Sequence, residues 1–401
     1  MRKFKEKEKE SAIFAGPPSS RGQPLLSLVV LYCTAISTTH LQHNPMPPIP
    51  SSPTPRIVIY YQTLHNPDGT PCSILPIITK PDITVTHVNV AAIHLNDPPG
   101  NITLVGNSFN DHAPSDPRYL TLWAELRILQ ASGIKVLGML GGAAKGSFTR
   151  LDLDEATFEE YYIPLRNLIR ERGLDGLDLD VEEPMGLAGI IRLIDQLKSD
   201  FGDGFIITLA PVAAALMSEN PEHNLSGFSY EALEVMRGKQ IAWYNTQFYC
   251  GWGDLSRTAG YDFIVARGYP ADKVVVGMVT NPGNGAGWIP FEILQEVLIT
   301  LKTRYPGFGG VMGWEYFNSL PGDRDRPWEW AAFMTKSVRD GLPVVASVPA
   351  PVPVPVSLPA SSNATANSQN PFLAVDDDPK VKDEAPLPKD FEYYSDGSLG
   401  E

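Results

Sequence analysis

Residues 174–185 read Leu-Asp-Gly-Leu-Asp-Leu-Asp-Val-Glu-Glu-Pro-Met, the alternation of one β-strand with two unlike faces. Side chains two apart share a face in a strand. Asp178, Asp180 and Glu182 therefore point one way, and Leu177, Leu179 and Val181 the other. The apolar face belongs in a packed layer. The acidic face is a column of carboxylates that cannot all stay ionised in a partly desolvated site, because like charges push one another's pKa values apart. Such a column keeps one carboxyl protonated near neutral pH. Glu182, the last of the three, lies where Pro184 breaks the strand, which suits a proton donor to a bound substrate. An exposed amphipathic strand would alternate in the same way, but the flanking segments read as helices, as they do around a covered parallel sheet. Hard cations also seek oxygen ligands. Three acids on one strand without a ligand-bearing loop do not build such a cage, so no metal is expected, and no cofactor.

Outward from this strand, the chain between about 56 and 340 alternates short apolar runs with helical stretches. The runs are 57–62, 86–95, 135–140, 174–182, 205–211, 241–249, 273–280 and 309–316. Between them, 120–131, 157–170, 189–198, 230–236, 262–267, 291–303 and 328–337 read as helices, several with apolar residues three and four apart, as in Tyr162, Leu165, Leu168 and Ile169. Eight such units predict an α/β fold, a single (β/α)8 TIM barrel. The second unit is the least regular, because 96–118 begins with a polar Gly/Pro/Asn loop.

In that fold, sites form where strands end and enter the following loops. Polar and aromatic residues do gather at those ends. Asn245, Gln247 and Tyr249 share one face at the end of the sixth run; Trp314, Glu315 and Tyr316 end the eighth; Trp252 and Trp288 follow the sixth and seventh. Aromatics beside amides and acids suit a sugar-binding cleft, although packing is their commoner role. Asp175 has the opposite parity and reads as support together with Gly176. Glu183 also faces outward and is assigned no role.

The chain has 401 residues, 43% hydrophobic, with a formal net charge of −14 and a pI near 5.0. That acidity argues against nucleic acid or an anionic membrane as the main partner. Cys33, Cys72 and Cys250 are too few for a disulfide framework or a metal motif, and allow at most one disulfide. Residues 25–37 form an apolar run too short to span a bilayer but fitting a secretory signal, with Ala35-Ile36-Ser37 as a small-x-small cleavage site. Secretion is the expectation, with a membrane tether or an unprocessed intracellular form as alternatives. Sequons at Asn101, Asn224 and Asn363 agree with a secretory route. Residues 38–55 read as a Pro/Ser linker. The stretch 343–401 runs from Pro-Val repeats to an end with nine acids against three lysines after residue 375, a composition that cannot repay the entropy of ordering. The domain plan is thus 1–55 signal-like or anchor segment plus linker, 56–342 barrel, and 343–401 disordered tail. No oligomer interface is legible, and a monomer is expected.

With these residues in view, the chain resembles family 18 glycoside hydrolases, whose strand motif Asp-Gly-x-Asp-x-Asp-x-Glu is matched at every fixed position by 175–182. The resemblance extends over about 56–340 and includes Gly141-Gly142, Gln247-Phe248-Tyr249 and Trp314. Within the family it is most similar to fungal endo-β-N-acetylglucosaminidases. It shares with them the stretches at 178–185, Trp-Tyr-Asn-Thr-Gln-Phe-Tyr at 243–249 and Gly-Val-Met-Gly-Trp-Glu-Tyr-Phe-Asn-Ser-Leu-Pro at 310–321. Plain chitinases more often carry an aromatic at the position of Leu179 and Ile or Trp at that of Val181.

The resemblance implies retaining hydrolysis by substrate assistance. In it Glu182 is the general acid and base, Asp180 orients the substrate's acetamido N–H, and Asp178 shares a proton with Asp180. Tyr249 holds the acetamido oxygen and Trp314 floors the pocket. Gln247 and Asn245 are candidates for sugar hydroxyls, and Tyr60 and Trp288 for the pocket wall, with packing the favoured role for Tyr60. The implied substrate is the di-N-acetylchitobiose core of an N-glycan, with chitin or chitooligosaccharide as the alternative. A non-catalytic lectin on the same barrel is a third reading, disfavoured because the acid Glu182 is present.

Overall fold

A computed structural model describes residues 54–104 and 112–339. Among the described residues, nine strands form one sheet: β1 Arg56–Tyr61, β2 His87–Asn96, β3 Asn101–Leu104, β4 Lys135–Gly141, β5 Gly176–Asp180, β6 Ile206–Leu209, β7 Trp243–Gln247, β8 Val274–Val279 and β9 Gly310–Trp314. All but β3 pair in parallel in the order β1-β9-β8-β7-β6-β5-β4-β2, and β1 pairs with β2 to close the ring. The fold is the (β/α)8 barrel expected from the eight units.

The strands fall on the apolar runs, trimmed at their ends. The acidic run narrows to Gly176–Asp180 because the ladder runs out: β6 pairs no further than Leu209 against Leu179, and β4 no further than Gly141 against Asp180. Glu182 therefore stands beyond the sheet, on the turn. The irregular second unit also has a cause. After Asn96 the chain doubles back as β3, antiparallel to β2, before the helix Leu120–Ala131 begins at the residue the periodicity predicts.

Local signals set the helix ends. The helix Glu155–Arg172 starts two residues ahead of its apolar periodicity, because the Asp154 side chain accepts from the Ala156 and Thr157 N–H groups. It stops at Gly173, whose φ of 52° suits a residue without a Cβ. The helix Leu187–Phe201 buries Ile190, Leu193, Ile194 and Leu197 at three- and four-residue spacing.

Two apolar layers result. Leu177, Leu179 and Val181 pack outward under the helices, whereas Val58, Tyr60, Met139, Trp243, Val275 and Met312 fill the interior. β5 is clamped at its start. Asp175 accepts from the Val136 N–H, the Gln130 amide and the Lys135 ammonium, and a Cβ on Gly176 would sit 2.1 Å from the Ile206 carbonyl oxygen.

Among the described residues no helix is long and apolar enough to cross a membrane. The apolar run 25–37, the linker up to residue 53 and the tail 343–401 lie outside the described residues. The barrel closes within Arg56–Trp314 and its last helix is Trp328–Arg339. Deleting 343–401 is therefore expected to leave turnover and Tm nearly unchanged, checked by assay and thermal melt; a large loss of either would assign the tail a place in the folded unit.

Candidate active site

β5 carries two of the three acids inward. Asp178 is 0% exposed and Asp180 5% exposed, while Glu182 is half-buried on the turn above them. Asp178 is held from three strands: the Tyr60 hydroxyl on β1 donates to Oδ2 at 2.5 Å, and the Thr208 hydroxyl on β6 and the Asn245 amide on β7 donate to Oδ1 at 2.5 and 2.9 Å. Burial pushes its pKa up, and these donors work against the rise by favouring the carboxylate.

The next two acids share one amide. Gln247 Nε2 lies 3.1 Å from Asp180 Oδ1, 3.1 Å from Glu182 Oε1 and 2.9 Å from the Ala210 carbonyl oxygen. Two N–H hydrogens facing three oxygens cannot satisfy two full carboxylates at once, which favours a proton on the pair. Burial raises Asp180 well above the usual carboxylate range, and the charges of Glu182 and Asp178 raise it further. Glu182 is also raised, by burial first, with hydrogen bonds from Gln247 and Asp180 holding it down. Each carboxyl therefore bears on the proton affinity of the other. Chemically, this is an acid that can give a proton at the cleft and take it back.

Aromatic rings surround the pair. The Tyr60 ring meets Trp314 edge-on with centroids 5.6 Å apart, and Tyr249, Trp288 and Trp314 join the same interior cluster as Met139 and Ala91. Tyr249 is 8% exposed and its phenol feels both Asp180 and Glu182, which with burial keeps it protonated and able to donate. Trp314 is seated by its backbone: its carbonyl accepts from Thr280 N–H at 2.8 Å, and the following residue, Glu315, is a buried carboxylate that accepts from the Gln62 and Thr63 N–H groups.

The structure thus brings together Asp178, Asp180, Glu182, Gln247, Tyr249 and Trp314, with Trp288 at the rim. Two residues, Asn245 and Trp252, sit elsewhere than expected. Asn245 was a candidate for sugar hydroxyls, but it is 0% exposed, with its Nδ2 on Asp178 and its Oδ1 accepting from the Trp243 indole. It lies beneath the cleft floor, where a sugar cannot reach. Tyr60 is 1% exposed and supports Asp178 and Trp314 from below, in the packing role favoured for it over the pocket wall. Trp252 packs against the outer core rather than the interior cluster.

Glu183 and Thr208 were missed. Thr208 is paired with Asp178 only through β5–β6 register, which no single-strand reading reports. Glu183 faces outward, is 3% exposed, and accepts from the Gly146 and Phe148 N–H groups at 2.7 Å and from the Thr149 hydroxyl at 2.6 Å. Its signal was available: an outward acid in a covered barrel must find donors. Glu183→Ala is expected to lower stability by about 2 kcal/mol, because it strands the buried Phe148 N–H and the partly buried Gly146 N–H. Denaturant unfolding checks this, and a change below about 0.5 kcal/mol would contradict it.

Compared with known proteins, no family model matches the chain. Curated relatives match in part: chitinase 2 of Rhizopus oligosporus is 26% identical over 211 residues, 48% of this chain, and chitinase 1 of Rhizopus niveus 25% over 210, 49% of it. The match spans only 36% and 40% of those relatives' own lengths. Solved structures match more fully. A chitinase, ChiC, from Aspergillus fumigatus is 54% identical, with 70% of this chain and 99% of that one covered and a TM-score of 0.63. A fungal endo-β-N-acetylglucosaminidase from glycosyl hydrolase family 18 is 50% identical, with 72% of this chain and 100% of that one covered and a TM-score of 0.68. Half of all residues shared along the full length of a family 18 structure makes this chain a member of glycosyl hydrolase family 18.

Proposed function

We propose that this protein is an endo-β-N-acetylglucosaminidase that cleaves the β-1,4 bond within the di-N-acetylchitobiose core of N-glycans, with retention and with the substrate's own acetamido group as nucleophile. The observation that carries the chemistry is the Asp180–Glu182 pair sharing the Gln247 amide beside Tyr249. The partners of Glu182 are thus an amide and a second buried acid that is itself raised, rather than an ionised carboxylate free to attack sugar.

In the proposed sequence, Glu182 gives its proton to the glycosidic oxygen as the C1–O bond breaks. The acetamido carbonyl oxygen of the same sugar attacks C1 from the opposite face, forming an oxazolinium ion. Asp180 accepts a hydrogen bond from the acetamido N–H, where positive charge develops, and electrostatic stabilisation placed in advance is worth most there. Tyr249 donates to the acetamido oxygen and Trp314 supports the sugar ring. Water then attacks C1 while Glu182, now a carboxylate, takes its proton, and the second inversion restores the starting configuration. Asp178, held by its three donors, sets the charge that Asp180 feels. The secretory reading of residues 25–37 belongs to the same proposal, since it would take the enzyme to glycoproteins outside the cell.

A chitinase acting on chitooligosaccharides is the second reading, supported by the 54% identity to ChiC. The two activities break the same bond and differ in whether the loops accept a branched mannose arm or a linear chain. The deciding experiment incubates the full chain with a high-mannose glycoprotein and, separately, with a chitin oligomer, both followed by mass spectrometry. Glycan release that leaves one GlcNAc on the protein is the expected result. Cleavage of the chitin oligomer alone would replace the proposal with the chitinase reading, and binding without cleavage of either would replace it with a lectin.

A further inference from the structure

The turn that carries Glu182 is held by a loop from the far side of β6. Ser226 is 3% exposed, and its hydroxyl donates to the Val181 carbonyl oxygen at 2.6 Å. Its own carbonyl accepts from Met185 N–H at 2.9 Å. One residue therefore grips the chain on both sides of Glu182. The proton order is set as well: Ser226 Oγ lies 2.8 Å from the Tyr230 hydroxyl, and since Oγ gives its hydrogen to Val181, the Tyr230 O–H donates to it.

Ser226 is seated in turn by Asn224. Asn224 Oδ1 accepts from Ser226 N–H at 2.8 Å, and Asn224 Nδ2 donates to the Phe228 carbonyl oxygen at 2.7 Å. The backbones approach closely here: a Cβ on Gly227, whose φ is 79°, would lie 3.1 Å from Pro184 Cα and Met185 N. The triplet Asn224-Leu225-Ser226, which reads in the sequence as a glycan acceptor, has both ends of its Asn amide engaged inside the loop.

We propose that Ser226, seated by Asn224, is a positioning residue for Glu182: it fixes the turn 181–185 so that the acid meets the glycosidic oxygen. The proposal rests on Glu182 being the acid. A misplacement of about 1 Å at a reacting group costs about 100-fold in rate, and the Ser226 hydroxyl is a point where a small deletion would loosen that turn and its tie to Tyr230. The ionisable groups that face Glu182 are Asp180 on β5, Tyr249 beyond β7 and Tyr230 on the helix Tyr230–Arg237. Ser226→Ala leaves Asp180 and Tyr249 with their contacts and takes from Tyr230 its hydroxyl partner, whereas Asn224→Ala keeps the Ser226 hydroxyl, so a shift of the acid's titration common to both variants reports the movement of Glu182 itself.

The test compares full-length wild type, Ser226→Ala, Asn224→Ala and Glu182→Gln on whichever substrate wild type cleaves. Ser226→Ala is expected to lower kcat roughly tenfold with KM within about twofold. It should also move the alkaline limb of kcat/KM about half a unit towards lower pH, as Glu182 gains water. Asn224→Ala should move kcat and the limb in the same direction, which keeps the test informative should either variant fold poorly. A lower Tm with unchanged kcat and unchanged limb would overturn the proposal by making Ser226 merely structural. Hydrolysis retained in Glu182→Gln would overturn the acid role and this proposal with it, and is distinguishable because it needs no Ser226 variant.

Discussion

A Glu182→Gln enzyme is expected to lose turnover by about 10^3-fold or more while still binding its oligosaccharide, since general acid catalysis is worth about 10^2–10^4-fold and this residue would serve as acid and then as base. The substitution keeps the shape: a glutamine Oε1 can accept the Gln247 amide that Glu182 Oε1 now meets at 3.1 Å. What it removes is the transferable proton. Steady-state kinetics beside calorimetric binding checks both halves, and residual turnover within about tenfold of wild type would take the acid role from Glu182. The wild-type pH profile should agree. Burial raises Glu182, with Gln247 and Asp180 opposing the rise, so the protonated form survives to higher pH than an ordinary glutamic acid would allow. Activity should fall on the alkaline side as that proton is lost.

Asp180→Asn is expected to lower turnover by about 10^2-fold or more and, at the same time, to raise Tm. The rate loss follows from removing a carboxyl that, once its proton is shared to Asp178, would accept the acetamido N–H and stabilise a developing oxazolinium ion. The stability gain follows from linkage. Asp180 is raised by burial first and then by Glu182 and Asp178, so the folded state binds its proton more tightly than the unfolded chain does. Below the unfolded value of 3.8 both states are neutral at this position and the shift costs nothing. As pH rises from there to the folded value, the unfolded chain ionises freely and stability is lost. Asparagine cannot ionise, so the variant escapes that loss, and at neutral pH each kcal/mol recovered is worth about 2–4 °C in Tm. Thermal melts at pH 4 and pH 7 read this directly: the two proteins should converge at the lower pH and separate at the higher. A variant that is slow but no more stable at pH 7 would contradict the assignment of the buried proton to Asp180.

Both predictions concern residues visible in a single strand, and that measures how much the sequence carried. Period-two alternation in 174–182, together with seven other short apolar runs interleaved with period-3.6 stretches, determines strands, helices and their number. The outward parity of Leu177 and Leu179 and the inward parity of Asp178 and Asp180 follow from the same local geometry. Strand ends were less legible because they depend on where a neighbour stops: β5 ends at Asp180 since β4 and β6 offer no further partners.

Whatever depends on register between strands was decided only by the tertiary structure. Asn245 and Gln247 share a face, yet two residues of depth separate a group buried on Asp178 from one that bridges Asp180 and Glu182. Thr208 reaches Asp178 through pairing of β6 with β5, and Phe148 and Ser226 are joined to the acid's turn, at Glu183 and Val181, from 35 and 45 residues away. The physical reason is the range of the forces involved. Side-chain parity and helical period are fixed by bonds between neighbours in the chain, so they can be read from one segment. A hydrogen bond that orients a buried carboxylate depends on which distant segment the closed barrel brings within about 3 Å, and that is settled only when all eight strands have found their register.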